Sequence, residues 1–513
     1  MAALALKPID LAIIAGYVAL TVGVGFWISR RASKNLRSYF LGGNQIPWYA
    51  LGLSNASGMF DISGTMLMVG WLYVYGLKSA WIPWVWPVFN QVVMMVYLSV
   101  WLRRSRVLTG AEWIRFRFGN GAGAQASHMV VVVFAMLAIV SLLAYGFLGI
   151  GKFVATFMPA SLALSADAAA NETLYAVLVT AVTTLYVVKG GMFSVVFTEV
   201  LQFFIMSVAC VAVGVIAMQQ VSPAVVEAAV PDGWRDIWFG WELGLDWSGR
   251  LEAANAKIAE DGWRLFSVFV GLALLKGVLA SAAGPTPGYD MQRVLATRTP
   301  REAAMMSGVV SLVLLVPRYM LITGLTVLAL AYFGDELASG GDQLNFERLL
   351  PLVMRDHVPH GLLGLLIAAL LAAFMSTYAA TVNSAPAYLV NDIYKRYINP
   401  QASDRTLVWL SYAASAGVVV AGVVLGLTTK RLEDIVNWLV AALYGGYIAS
   451  NVLKWHWWRF NGWGYFWGMT SGILAAMVVS LLDSTLLTGV GTVLGVEKNL
   501  ALFPVLLVIT SAA

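Results

Sequence analysis

Apolar residues run along this chain in blocks long enough to cross a bilayer, and polar residues collect in the gaps between them. A spanning α-helix needs about 20 predominantly apolar residues. Twelve such runs lie at 8–29, 46–75, 78–102, 126–158, 172–188, 193–219, 263–296, 303–333, 361–390, 405–427, 434–457 and 463–483. A thirteenth, 499–513, is short and reaches Ala513 without a charged flank. It is expected either to be a truncated span or to enter only the interface. The pattern predicts an all-α integral membrane protein with a single transmembrane domain over 1–513. The first run has no small-residue cleavage site ahead of Arg30 and Arg31, so it reads as a retained helix and not as a leader.

Composition agrees with the pattern. The 513 residues are 60% hydrophobic and 12% charged, whereas soluble chains carry about 25% charged residues. Such a chain cannot cover a water-facing surface with charge, and the bilayer is its expected partner. The single cysteine, Cys210, excludes an internal disulfide and a cysteine-based metal site.

The net charge of +5 reflects loop cations and not nucleic-acid binding. The loop after run 1 holds Arg30, Arg31, Lys34 and Arg37 with no acid. The loop after run 3 holds Arg103, Arg104, Arg106, Arg115 and Arg117 against Glu112, and the loop after run 11 holds Lys454 and Arg459. By the positive-inside rule these loops are cytoplasmic. The long 220–262 and 334–360 connections then fall outside, and so does the N-terminus.

Two runs are not simple helices. Run 2 contains Ser54-Asn55-Ala56-Ser57-Gly58-Met59-Phe60-Asp61-Ile62-Ser63-Gly64, and run 7 contains Ala283-Gly284-Pro285-Thr286-Pro287-Gly288-Tyr289-Asp290. Glycine, serine and proline at membrane depth free backbone groups that lipid cannot satisfy, so those groups must line a site or a cavity. Runs 2–6 and runs 7–11 form two groups of five, each opening with an interrupted helix. Five is odd, so the groups insert in opposite orientation, the inverted-repeat plan of many secondary transporters. The expected division is an extra N-terminal helix and loop at 8–45, repeat 1 at 46–219, repeat 2 at 263–457 and C-terminal helices at 463–513.

Run 9 carries Ala372-Ala373-Phe374-Met375-Ser376-Thr377-Tyr378. A hard cation such as sodium takes oxygen ligands. The adjacent hydroxyls of Ser376 and Thr377 supply two, the Ala373 carbonyl lies one turn back, and freed carbonyls of run 2 could complete the shell. The competing reading is that both hydroxyls bond their own helix or a neighbour.

Four stretches resemble the sodium:solute symporter family, which includes bacterial proline and galactose carriers and mammalian glucose carriers. They are Ser38-Tyr39-Phe40-Leu41-Gly42-Gly43; Asp61-Ile62-Ser63-Gly64 followed by Met66-Leu67-Met68-Val69-Gly70; Gly190-Gly191 through Thr198-Glu199-Val200-Leu201-Gln202, with Glu where the family has Asp; and Tyr289-Asp290-Met291-Gln292-Arg293 together with Ala372 to Ser384. The resemblance spans roughly 8–485. It implies a LeuT-type core of five plus five inverted helices with flanking helices. It also implies a sodium site made by the carbonyls of Met59, Ile62 and Ala373 and the hydroxyls of Ser376 and Thr377. Sodium is then the coupling ion, with no other cofactor.

Further residues are candidates in the same frame. Asp61 either attracts the cation and couples it to solute or caps the second half of run 2. Glu199 either contributes to a second cation site, as the acid of this motif does in some family members, or bonds freed backbone or pairs with Lys189 or Arg293. Tyr289 matches the aromatic that closes over sugar in the galactose carriers, with ordinary packing as the alternative. The sugar carriers have a lysine where this chain has Val313, a departure from a galactose-type site. Trp81, Trp84 and Trp86 with Asn90 and Gln91 could form an aromatic, amide-lined polyol pocket, although Trp is also the usual interface anchor. Ser63, Met66, Asn437 and Tyr444 complete the candidate solute contacts. His128, His357, His360 and His456 show no ligand spacing, and no catalytic constellation is present, so no enzyme is expected.

The expected function is sodium-coupled import of a sugar or similar polyhydroxylated solute by alternating access. A monomer suffices, in a cell membrane of bacterial inner-membrane type. The run 2 motif makes an amino acid or small organic acid the alternative cargo. A membrane sensor on a carrier fold, or a proton-driven carrier or channel, are the readings of other classes.

Overall fold

The computed structural model describes residues 6–29, 35–60, 62–83, 89–158, 162–238, 240–260, 265–334, 337, 349–429, 444–481 and 507–512. Asp61, Trp84, Trp86 and Asn437 lie outside the described residues, as do most of run 13 and the side chains of Ile62, Ser63 and Tyr444.

Helix α1 covers Pro8–Ser29. Run 2 splits into α2, Trp48–Gly58, and α3, Ile62–Tyr75. In run 3, expected as one helix, the described residues are helical at Trp81–Pro83 and again from Phe89–Val93 through a wide π-helical turn at Met94–Leu98 into α4, Ser99–Ser105, without a gap. A short helix α5, Gly110–Phe118, is followed by α6, Ala122–Phe157.

Runs 5 and 6 form a 53-residue helical segment α7, Ala168–Gln220. At 1.5 Å per residue it would measure about 80 Å, far more than a bilayer core of roughly 30 Å. Gly191, at φ 52 and ψ −159, breaks it between the two expected runs. Only glycine takes that conformation readily. Run 7 splits into α8, Phe266–Ala283, and α9, Tyr289–Ala296, with Gly284 at φ 80 beginning the break. Then follow α10, Pro300–Tyr332, and α11, Leu362–Pro386, which runs on as a π-helical segment through Ile398. The last helices are α12, Asp404–Thr428, α13, Tyr444–His456, and α14, Gly462–Leu481.

Six helices among the described residues are long and apolar enough by themselves to cross a membrane, beginning at Pro8, Ala122, Ala168, Pro300, Leu362 and Asp404. Runs 2 and 7 reach across only as interrupted pairs. The centre of the molecule is α7 packed against α11, α10 and α1, with α10 also lying against α2 and α3. On the other flank α6 packs against α12 and α14.

Two devices fix the helix ends. Asp10 of α1 accepts from the amides of Gly361 (2.7 Å) and Gly364 (3.0 Å) and bonds His360 Nδ1 at 2.8 Å. A carboxylate from one helix thus caps the positive N-terminus of another, and the starts of α1 and α11 lie on one side. At the end of α3 the 220–262 connection folds back as a cap. Trp234 and Trp247 donate their indole N–H groups to the Tyr73 and Val74 carbonyls, at 2.9 and 3.0 Å. These are among the carbonyls a helix end leaves without partners. The Trp247 ring also stacks on Tyr73 at 5.7 Å. Trp81 is drawn into the same cap, donating to the Ile237 carbonyl at 2.7 Å and stacking on Trp238.

Candidate functional site

The end of α2 meets α7, α9 and α11 at a buried polar centre. Glu199 lies on α7, eight residues past the Gly191 break, and Arg293 lies on α9, just past the second broken region; both are fully buried. Arg293 Nη2 donates to Glu199 Oε1 at 2.6 Å. Its Nε donates to Ser54 Oγ at 2.9 Å, and Nη1 reaches Asn55 Oδ1 at 3.4 Å. Ser54 in turn donates to the other Glu199 oxygen. The guanidinium lies over the Tyr289 ring, 4.9 Å from its centroid, and presses on the α2 backbone at Gly58. Charge-assisted bonds of this kind offset part of the desolvation cost of both ions.

The expected cation residues sit beside this centre. Ser376 Oγ donates to Glu199 Oε1 at 3.4 Å. Thr377 Oγ1 lies 3.0 Å from the Gly58 carbonyl and 3.2 Å from the Ala373 carbonyl. A hydroxyl carries one proton and two lone pairs, so two carbonyls converge on a group that satisfies one at a time. These neutral oxygens are the ligand type of a hard monovalent cation. The carbonyl reaching Thr377 belongs to Gly58, the neighbour of Met59. Met59 itself presents its sulfur to Gln91 Nε2 at 3.9 Å. Ile62 opens α3 across the break. Among the described residues no cluster of histidine, cysteine or acidic side chains could hold a metal ion.

The structure decides between the alternatives for Glu199 as a pairing residue. Arg293 is its partner, whereas Lys189 lies over the Phe26 ring at 5.8 Å. Of the candidate solute contacts, Met66 and Gln91 are buried, and Asn90 and Tyr289 are half-buried. Ser57 Oγ, Asn90 Oδ1 and Asp290 Oδ1 are buried atoms without a hydrogen-bond partner among the described residues. Ser57 and Asp290 lie on α2 and α9, which flank the two breaks, and Asn90 lies on run 3. Trp81 turns to the cap formed by the 220–262 connection.

Sequence reading missed the roles of Ser54 and Asn55, and offered Arg293 as a motif position and as one of two partners for Glu199. The Gln292-Arg293 pair was the available signal, since an arginine at membrane depth requires a partner. Gln292 is used differently, donating to the Phe40 carbonyl at 2.7 Å. A second shell links α1 to the centre: Gln202 donates to the Tyr17 hydroxyl at 3.0 Å, and Tyr17 reaches Met375, next to Ser376.

The sodium:solute symporter family model matches residues 39–472. A sodium/glucose cotransporter of Vibrio parahaemolyticus is 27% identical over 84% of this chain and 76% of its own length. A sodium/mannose cotransporter of Bos taurus is 26% identical over 93% of this chain and 80% of its own length. Among solved structures, a Na+-coupled sialic acid symporter in a substrate-bound outward-open state superposes with a TM-score of 0.66 at 17% identity, covering 99% of this chain and 97% of that one. Its all-α, LeuT-type fold is the fold of this chain. The chain belongs to the sodium:solute symporter family, multi-pass membrane transporters that are not enzymes and whose coupling ion is sodium.

Proposed function

We propose that this protein imports a sugar or similar polyhydroxylated solute together with sodium by alternating access. The observation that carries the sodium part is the convergence of the Gly58 and Ala373 carbonyls on the Thr377 hydroxyl, at 3.0 and 3.2 Å. It joins the broken α2–α3 region to α11, so a cation held there would couple the two repeats. In this reading the ion is held by the carbonyls of Met59, Ile62 and Ala373 and the hydroxyls of Ser376 and Thr377. Asp61 attracts it at the break. Glu199, one hydrogen bond from Ser376, influences the same hydroxyl and serves a second cation step. The repeats are 46–219 and 263–457, the N-terminus is outside, and one monomer in a bacterial inner membrane suffices.

The sugar part rests on relatives whose names specify glucose, mannose and myo-inositol. It also rests on the unpartnered oxygens of Ser57, Asn90 and Asp290, which suit the hydroxyl donors of a polyol. Met66, Gln91 and Tyr289, with Ser63, Asn437 and Tyr444, complete the proposed contacts. One sodium is energetically sufficient. A charge moving down ~100 mV gains about 2.3 kcal/mol and a tenfold gradient adds about 1.4 kcal/mol, which supports roughly several-hundred-fold accumulation.

Tracer uptake into proteoliposomes tests the reading, with an inward sodium gradient against potassium and against a proton gradient. Sodium-stimulated uptake of at least one hexose or cyclic polyol is expected. Sodium-stimulated uptake confined to amino acids would transfer the function to the proline-like alternative suggested by the Asp61 to Gly70 motif. Uptake driven by protons alone would remove sodium from the mechanism.

A further inference from the structure

A cleft of about 260 Å³ opens where α4, α5 and α13 end together, lined by Trp101, Arg104, Ser105, Trp113, Phe116 and Trp455. Its deep wall is a pair of indoles, Trp113 and Trp455, with ring centroids 4.0 Å apart. Trp455 is anchored by donating to the Ala283 carbonyl at 2.9 Å. Behind the wall the buried Lys454 ammonium lies 5.3–5.9 Å from the rings of Trp113, Tyr447, Trp455 and Tyr465. Cation–π contacts of this kind hold both indoles in place. Trp101 and Phe116 form the outer walls and are exposed, with Phe116 67% accessible.

The mouth of the cleft is cationic. Arg104 is exposed and has no hydrogen bond or ion pair among the described residues. Neighbouring arginines spend their donors elsewhere: Arg103 on the Thr297 and Arg298 carbonyls, and Arg117 on the carbonyls of Lys454, Trp457 and Trp458. The nearby acid, Glu112, accepts from the Leu108 amide and from Asn391. No carboxylate lines the cleft.

We propose that this cleft holds one anionic glycerophospholipid of the cytoplasmic leaflet, with its phosphate on Arg104 and an acyl chain along Trp101, Trp113, Phe116 and Trp455. The inference rests on the proposed orientation, which puts these arginines on the cytoplasmic side. A soluble anion would leave the aromatic walls uncovered. A zwitterionic headgroup would bring an ammonium to a site that has free guanidinium and no carboxylate. Juxtamembrane arginines attract anionic lipid by about 1 kcal/mol each, and the apolar walls add the burial of a chain.

The test is lipid retention by the full-length protein in detergent, read by native mass spectrometry with phosphatidylglycerol and phosphatidylcholine of identical chains. Phosphatidylglycerol is expected to be retained in preference. Arg104→Gln should lower its retention about fivefold, the equivalent of one juxtamembrane charge, and Trp101→Ala should lower it too. Arg405→Gln, which removes an exposed charge at the start of α12, should leave it unchanged. Equal retention of the two lipids, or equal effects of the two arginine variants, would overturn the proposal. Protection of the protein against heat by glycerol 3-phosphate as strong as by the lipid would overturn it in favour of a soluble anion. Orientation and transport play no part in this readout, so its failure is distinct from failure of the proposed function.

Discussion

Arg293 and Glu199 form a fully buried ion pair at 2.6 Å that joins the helix following the second broken region to the helix following the Gly191 break. Among the described residues, every other side-chain hydrogen bond of the pair goes to α2 or α11. The four elements that line the candidate site are therefore held by one charged centre. Removing either ion strands the other in an apolar interior, at a cost of about 3–5 kcal/mol. Glu199→Gln and Arg293→Gln should each lower the melting temperature of the detergent-solubilised protein clearly. The double variant should be less destabilised than the sum. Additive losses would show that the two side chains act separately.

Thr377→Ala removes the hydroxyl on which two carbonyls converge. Loss of one well-placed oxygen of this kind costs about 1.5 kcal/mol, so the sodium concentration for half-maximal uptake should rise roughly tenfold. Thr377→Ser should stay near the parent. Ser376→Ala combined with Thr377→Ala should abolish measurable sodium activation. A sodium activation curve that does not move in the double variant would exclude this site from coupling.

Helices α13 and α14 touch backbone to backbone. A methyl added at Gly446 would stand 2.6 Å from the Gly472 carbonyl oxygen, and one at Gly472 would stand 2.8 Å from the Gly446 carbonyl carbon. Close approach through small residues is the main route to helix association in lipid. Gly446→Val and Gly472→Val should each destabilise by about 1–3 kcal/mol, visible as earlier thermal aggregation. The same change at Gly16, where the added atom meets nothing within 4 Å, should have little effect.

His357, at the end of the 334–360 connection, sits between Tyr332 and Phe333 and hydrogen-bonds Gln220. Burial pulls its pKa below the usual histidine value, and the adjacent Asp356 partly opposes this. The folded state thus binds the proton less readily than the unfolded chain. Its contribution is fully present above the ordinary histidine pKa and fades as pH falls through that value towards the lowered one. Thermal stability should decline as pH drops below about 6.5, and His357→Gln should flatten part of that slope. An unchanged slope would place the acid sensitivity elsewhere.

The sequence by itself determined the solvent, the number of apolar runs and the places where runs 2 and 7 break. These are local properties: span length follows from rise per residue against bilayer thickness, and breaks follow from glycine and proline at membrane depth. It also placed Ser376 and Thr377 on one helix with the Ala373 carbonyl a turn back, because helical spacing alone sets that. Partner choice was not local. Whether Glu199 took Lys189 or Arg293, which carbonyl of the first break met Thr377, and that Trp81 joined the cap of the 220–262 connection, depended on segments far apart in sequence. Only packing brings such groups together. In a low-dielectric interior, a buried ion or carbonyl bonds whichever group the fold places within reach.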